Sequence, residues 1–202
     1  VVAYLTANTA LKDAFFVSSP AGYAPNILGI IVMIAPLGLV FFFSFKIASM
    51  RSSTAQAVFW VFAALMGLSL ASILLNFTGA SVARVFFITA ATFGAMSLYG
   101  YTTKRDLSGW GSFLFMGLIG IIIASIVNIF LASPALYFAI SVIGVLVFVG
   151  LTAYDTQQIK EMYLESDGEE VMSKKAIMGA LRLYLDFINL FILLIQLFGV
   201  RR

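Results

Sequence analysis

Residues 177–200 read IMGALRLYLDFINLFILLIQLFGV, an almost uninterrupted apolar run. A helix needs about 20 residues to cross a hydrocarbon core about 30 Å thick, and this run is long enough. Its apolar residues are continuous and do not alternate with a period of two, which argues against a membrane β-strand. The segment therefore predicts a membrane-crossing helix.

Similar runs recur along the chain, separated by short polar breaks or breaks marked by Gly and Pro. The 202 residues are 62% hydrophobic and 10% charged, a composition that ordinary soluble domains do not reach. The predicted helices lie near residues 27–45, 55–77, 82–101, 113–131, 136–154 and 177–200. The sequence predicts an all-α polytopic membrane helix bundle in the lipid bilayer, forming a single transmembrane domain over residues 1–202.

The opening residues 1–8, VVAYLTAN, are also apolar but too few to cross a membrane. They have no basic flank before them and no small-residue cleavage pattern after them, so they do not resemble a signal peptide. We interpret them as the tail of a truncated first helix.

The composition excludes several kinds of site. The chain has no cysteine and no histidine, which excludes disulfides, iron–sulfur clusters and Cys-ligated zinc, and we expect no cofactor. Without histidine, a response to pH between about 5 and 8 must come from carboxylates or another group with a displaced pKa.

The basic residues predict the topology. They cluster at helix ends and form no continuous stripe, so we expect no nucleic-acid partner. By the positive-inside rule, the connections richest in cations are cytoplasmic. Those connections carry Lys46, Arg51, Lys104, Arg105, Lys160, Lys174 and Lys175. The terminal Arg201 and Arg202 leave two alternatives open for the last segment, which either crosses the membrane or re-enters it.

Two aspartates stand out against the apolar runs. Arg182, Asp186 and Asn189 are spaced by four and three residues, so they project from one side of the last predicted helix. A charge at hydrocarbon depth costs about 3 kcal/mol or more, so this side does not face lipid. Asp155, in AYDTQQIK, ends the preceding predicted span, and continuation of the helix through Gln157 and Gln158, which would draw Asp155 inward, stays open. Adjacent packing of the two helices would bring the carboxylates together.

Paired carboxylates in a poorly solvated site cannot easily both ionise, so they share a proton and act as a proton switch. Once deprotonated, Asp155 and Asp186 present the hard oxygen ligands that calcium prefers, with water or backbone carbonyls completing the shell. The alternative is structural: Asp186 pairs with Arg182 while Asp155 lies in solvent.

Two other polar features have competing interpretations. Asn128, within IVNIF, either forms a hydrogen bond across helices or lines a pore. The acidic stretch ESDGEE, Glu165 to Glu170, is typical of a solvated loop and does not match an EF-hand.

Four motifs together resemble the transmembrane Bax-inhibitor-motif family, also called the Bax inhibitor-1 family. They are GYTTKRDLSGWGSFLFMGLIG (residues 100–120), IVNIF (126–130), GLTAYDTQQIK (150–160) and LRLYLDFINLFILLIQLFG (181–199). The amino-acid sequences of these motifs resemble the bacterial branch of the family more closely, which implies a bacterial inner-membrane location. The family has seven transmembrane helices, in keeping with a truncated first helix.

The resemblance implies a pH-sensitive leak of calcium, the permeant ion, with an aspartate pair as sensor and gate. By motif these are Asp155 and Asp186, and they are the residues expected to contact calcium. A basic residue near the start of the third span latches the pair in the family. Arg51 is the nearest match, and Arg182 is a second candidate. Asn128 and Asn189 are the candidates for lining the pore.

Other functions remain open. The chief alternative is a regulator of a membrane protein partner, such as a membrane-bound protease or a component of a cell-death pathway. An intramembrane aspartyl protease is a weaker alternative, since Tyr154-Asp155 matches one half of its signature but Leu185-Asp186 lacks the glycine of the other. A proton-coupled transporter is another. We expect that the protein is not an enzyme.

Overall fold

A computed structural model describes residues 1–20, 22–164 and 166–202. The helices are α1 (Val2–Asn8), α2 (Leu11–Phe15), α3 (Ile27–Lys46), α4 (Ser52–Asn76), α5 (Gly79–Thr102), α6 (Ser108–Leu131), α7 (Pro134–Glu161) and α8 (Glu169–Phe198). Two short strands, β1 (Phe16–Ser19) and β2 (Gly22–Pro25), lie between α2 and α3, and a 3₁₀ turn, Ile47–Ser49, follows α3. In the described part of the chain six helices, α3 to α8, are long and apolar enough to cross a membrane. The prediction of an all-α polytopic fold is confirmed.

Internal contacts divide the chain into two compact units. The first comprises Val1–Val82, Gly168–Ile177 and Val200–Arg202, and the second comprises Ala83–Asp167 and Met178–Gly199. The prediction of a single transmembrane domain stays a prediction.

The first unit contains a feature that the sequence did not predict, an antiparallel hairpin of β1 and β2. Asn76, the last residue of α4, fixes it: its Oδ1 accepts a hydrogen bond from Tyr23 N at 2.9 Å and its Nδ2 donates to Tyr23 O at 3.0 Å. Phe16 of β1 is buried with Ala7, Ala71 and Leu75. One side-chain amide and one aromatic ring therefore hold the hairpin against the helices.

Helix starts follow ordinary capping chemistry. Asn26 accepts a hydrogen bond from Gly29 N at 2.9 Å and begins α3. Ser133 caps α7 by accepting from Leu136 N at 3.3 Å, and Pro134 occupies the first turn, where its missing N–H costs nothing.

In the second unit, α6 and α7 approach closely through glycines. A Cβ at Gly111 would lie 2.6 Å from Tyr154 Cζ, one at Gly117 would lie 2.9 Å from Val147 Cγ2, and one at Gly150 would lie 2.7 Å from Leu114 Cδ2. Each glycine thus receives a larger side chain from the facing helix. Such small residues let membrane helices pack with their backbones close together.

Two helices extend beyond their predicted bounds. α7 was predicted to end at residue 154 but continues to Glu161, so Asp155 lies within the helix and not at its end. α8 begins at Glu169, eight residues before the predicted start, with Glu169 and Glu170 in its first turn, where carboxylates interact favourably with the helix dipole. Part of the ESDGEE stretch is therefore helical, whereas Glu165 lies outside the described residues.

Candidate functional site

The two aspartates predicted to form a pair meet in the second unit. Asp155 projects from α7 and Asp186 from α8, and their carboxyl groups line one cavity and interact electrostatically. Asp186 is only 4% exposed, and Asp155 is partly buried. The extension of α7 past Tyr154 carries the Asp155 carboxyl into the packed part of the helix, where it reaches Asp186.

A hydrogen bond between the two carboxyl groups has a chemical requirement. Two carboxylates have acceptors only, so a hydrogen bond between them needs a proton on one of the two. Asp186 Oδ2 is buried, and no donor among the described residues forms a hydrogen bond with it. Ionisation of both carboxyl groups would therefore place two negative charges side by side, at a site where Asp186 Oδ2 has no donor among the described residues.

Arg182 supplies the positive charge closest to this pair. It lies one turn before Asp186 on α8, and its guanidinium interacts electrostatically with both carboxyl groups. Among the described residues no ion pair within 4.0 Å joins it to either carboxyl group. The alternative in which Asp186 simply pairs with Arg182 is therefore not the observed geometry.

A cavity of about 600 Å³ surrounds the pair, which we call the aspartate cavity. Residues of α6, α7 and α8 line it, and apolar side chains make up much of its surface. Its polar side chains are Ser112, Tyr154, Asp155, Arg182, Asp186 and Asn189. The carboxyl groups are thus accessible from a space lined by hydroxyl, amide and guanidinium groups.

A second cavity of about 420 Å³, the distal cavity, borders the first. Leu118, Phe148 and Asn189 line both. The distal cavity reaches Gln196, ten residues beyond Asp186 on α8 or about 15 Å along the helix. Its polar side chains are Ser125, Asn128, Tyr137, Asn189 and Gln196. Polar groups therefore continue from the carboxyl pair along one side of α8.

Both asparagines proposed to line a pore border these cavities while also forming local hydrogen bonds. Asn128 Oδ1 accepts from Ser133 N at 3.0 Å, closing the turn between α6 and α7. Asn189 Nδ2 donates to Leu185 O at 2.8 Å. Each amide thus retains unused hydrogen-bonding capacity toward a cavity. Their role in a pore stays a prediction.

Arg51, the other candidate latch, is exposed at the N-cap of α4 in the first unit. Its role as a latch stays a prediction.

The donor set at the pair fits a loosely held cation. Among the described residues no group of three or more Asp, Glu, His or Cys side chains is positioned to hold a metal ion. Tight calcium sites use six to eight oxygens with several carboxylates. Two carboxylates, with the Asn189 amide on the same cavity wall, fit a brief contact with a passing ion better than a storage site.

Sequence reasoning missed Gln157. This side chain is 5% exposed; its Nε2 donates to Arg105 O at 2.9 Å and its Oε1 accepts from Leu107 N at 2.8 Å. It therefore ties the connection between α5 and α6 to α7, two residues after Asp155. Its neighbour Gln158 is partly exposed and looks identical in sequence, so only the fold distinguishes the two.

Known proteins are similar to this chain over most or all of its length. Residues 1–202 match the family described as inhibitor of apoptosis-promoting Bax1. A Caulobacter vibrioides protein is 50% identical over 206 residues, covering 100% of this chain and 82% of that protein. The inner membrane protein YbhL of Escherichia coli K12 is 53% identical over 173 residues, covering 85% of this chain and 74% of YbhL. A Rickettsia prowazekii protein is 55% identical over 174 residues, covering 86% and 74% respectively.

Proposed function

Because the chain belongs to the Bax inhibitor-1 family and is an integral membrane protein of the bacterial inner membrane, we propose that it is a pH-sensitive, calcium-permeable leak channel. The Asp155–Asp186 pair is its gate. The observation that carries this proposal is the meeting of the two carboxyl groups in one cavity, which shares Asn189 with a second cavity that contains further polar side chains.

The shared proton supplies the gating step. While it is present, the pair carries a single negative charge, and the shared proton joins the carboxyl group of α7 to that of α8. When it leaves, two carboxylates face each other where water is scarce, and they repel strongly because little solvent screens them. Arg182 offsets part of this repulsion from the wall of the same cavity. Deprotonation therefore favours separation of α7 and α8 at this level.

The same step prepares the path for a cation. Ionised carboxylates are the hard oxygen ligands that calcium prefers. Conduction also requires that binding be weak enough for release, which suits a site of two carboxylates. We therefore expect calcium flux to rise as pH increases through the titration of the pair, without any catalytic step.

The test is calcium flux into liposomes containing the purified protein, measured from pH 6 to 8. The parent is compared with Asp155→Asn and Asp186→Asn, and Asp13→Asn serves as a matched control because Asp13 is an exposed aspartate of α2. We expect both site variants to lose the pH dependence and Asp13→Asn to retain it. A pH dependence that survives in either site variant contradicts the gate.

A folded protein that gives no flux above empty liposomes would favour the alternative, a membrane protein that regulates a partner. In that case a partner that copurifies should respond equally to the parent protein and to a variant with both aspartates replaced by asparagine.

A further inference from the structure

A third cavity lies apart from the carboxyl pair, between α5, α6 and α7, and has a volume of about 600 Å³. We call it the lateral groove. Its walls include Trp110 and Phe113 of α6, which are 60% and 62% exposed, and the small residues Gly150 and Ala153 of α7. Because these helices are membrane-crossing, exposed apolar walls of this kind contact lipid.

The lateral groove has the length of one acyl chain in one leaflet. Along α7 it extends from Tyr154 to Ile143, eleven residues or about 16 Å. The hydrocarbon core is about 30 Å thick, so this length corresponds to roughly half of it. The groove therefore runs from one membrane surface to near the bilayer centre.

One end of the lateral groove is charged. Arg105 and Asp106, from the connection between α5 and α6, line it there. Hydrogen bonds from Ser108 engage the Asp106 carboxylate, including one from Ser108 N at 2.8 Å, and they lower the pKa of Asp106. Asp106 is therefore directed to the start of α6 and not to Arg105.

The Arg105 guanidinium remains available. Its backbone is fixed by Gln157, but no hydrogen bond or ion pair engages its side chain among residues 1–20, 22–164 and 166–202. A guanidinium presents a planar set of N–H donors that matches phosphate oxygens.

We propose that the lateral groove binds a glycerophospholipid with an anionic headgroup. One acyl chain lies along α7, and Arg105 holds the phosphate. Two features select this ligand: the apolar length matches one leaflet, and an unengaged guanidinium stands where a headgroup would lie. A free phosphate would use Arg105 but leave the apolar walls exposed.

Tryptophan fluorescence tests the proposal without any calcium measurement, so its outcome is independent of the leak. The chain has two tryptophans, Trp60 and Trp110. Trp60→Phe leaves Trp110 as the sole reporter, in the groove. The protein is reconstituted into phosphatidylcholine vesicles containing increasing fractions of brominated phosphatidylglycerol or brominated phosphatidylcholine, and quenching gives the relative binding constant of the two lipids.

We expect brominated phosphatidylglycerol to quench Trp110 preferentially, and Arg105→Gln to reduce that preference by about fivefold, the effect of one cation near a membrane surface. Lys104→Gln is the matched control, because Lys104 is the adjacent cation and does not line the groove. Arg105→Lys retains the positive charge and should keep more of the preference for phosphatidylglycerol than Arg105→Gln does. This comparison separates the loss of the charge from a general loss of folding at position 105.

Equal quenching by the two lipids would overturn the proposal. So would an equal loss of preference in Lys104→Gln and Arg105→Gln, which would indicate only the general surface potential. The complementary Trp110→Phe protein, which reports from Trp60, should show no preference that depends on Arg105.

Discussion

The ring of Tyr154 packs directly over Gly111, so that a Cβ at position 111 would lie 2.6 Å from Tyr154 Cζ and 2.7 Å from its hydroxyl oxygen. Tyr154 also lines both the aspartate cavity and the lateral groove. The absence of a side chain at Gly111 therefore fixes the position of the wall that separates these two spaces.

Gly111→Ala should destabilise the protein, because the new methyl group displaces the Tyr154 ring from a close-packed contact. We expect the free energy of unfolding to fall by about 1–3 kcal/mol. Gly109→Ala, in the same first turn of α6, has nothing within 4 Å of the added Cβ and should be neutral or stabilising by up to about 1 kcal/mol. Thermal melting in detergent compares the two, and matching melting temperatures would refute the packing argument.

Gln157→Leu should also lower stability, by about 1–3 kcal/mol, because Arg105 O and Leu107 N would each lose a buried hydrogen-bond partner. Gln158→Leu is the matched control, since its side chain donates a hydrogen bond to the Glu161 carboxylate at the surface, at 3.3 Å. Chemical unfolding of both variants measures the difference. A Gln158→Leu effect as large as that of Gln157→Leu would contradict the distinction drawn between the neighbours.

Arg182→Gln should move the midpoint of the flux–pH curve to higher pH. Its positive charge stabilises the ionised carboxylates, so removing it makes their ionisation harder. Because Arg182 is exposed and screened by water, the shift should be less than about one pH unit. Arg84→Gln, which removes an exposed cation of α5, should leave the midpoint unchanged, and a shift to lower pH in Arg182→Gln would contradict the proposed electrostatics.

Asp106→Ala should lower the melting temperature at neutral pH. Hydrogen bonds from Ser108 place the folded pKa of Asp106 below its ordinary value of 3.8, so its stabilisation is present above that value and is lost as pH falls through the folded pKa. The difference in melting temperature between parent and variant should therefore narrow from pH 7 toward pH 3. Asp106→Asn keeps an acceptor for Ser108 N and should retain more of the parent stability at pH 7. A difference in melting temperature between the parent and Asp106→Ala that does not change with pH would contradict a contribution from the ionised Asp106 carboxylate.

The helical class and the choice of the two aspartates as candidate site residues followed from local sequence. Continuous apolar runs require helices in a membrane, because only helices satisfy every backbone group within one segment. The four-residue spacing of Arg182 and Asp186 placed both on one side of α8, and both line the aspartate cavity. The free-energy cost of a charged side chain in the hydrocarbon core identified Asp186 as a candidate before its neighbours were known.

Features that depend on distant backbone groups could not be predicted in this way. The partners of Gln157 lie 50 and 52 residues earlier in the chain, and its neighbour Gln158 has the same chemistry. The length of α7 could not be read from hydropathy, which marks the end of the apolar run near residue 154, whereas the helix continues through polar turns to Glu161. The hairpin depends on Asn76, which follows it by more than 50 residues.

The boundary formed by Leu118, Phe148 and Asn189 belongs to both the aspartate cavity and the distal cavity. For an ion that leaks through both cavities as proposed, this shared boundary is where it would pass from one to the other, and two of the three side chains there are apolar. A hydrated ion would shed water at this boundary with one amide to replace it. Maximum throughput would then follow the size of the Phe148 side chain, while the response to acidity would follow the carboxyl groups, so the two properties could change independently.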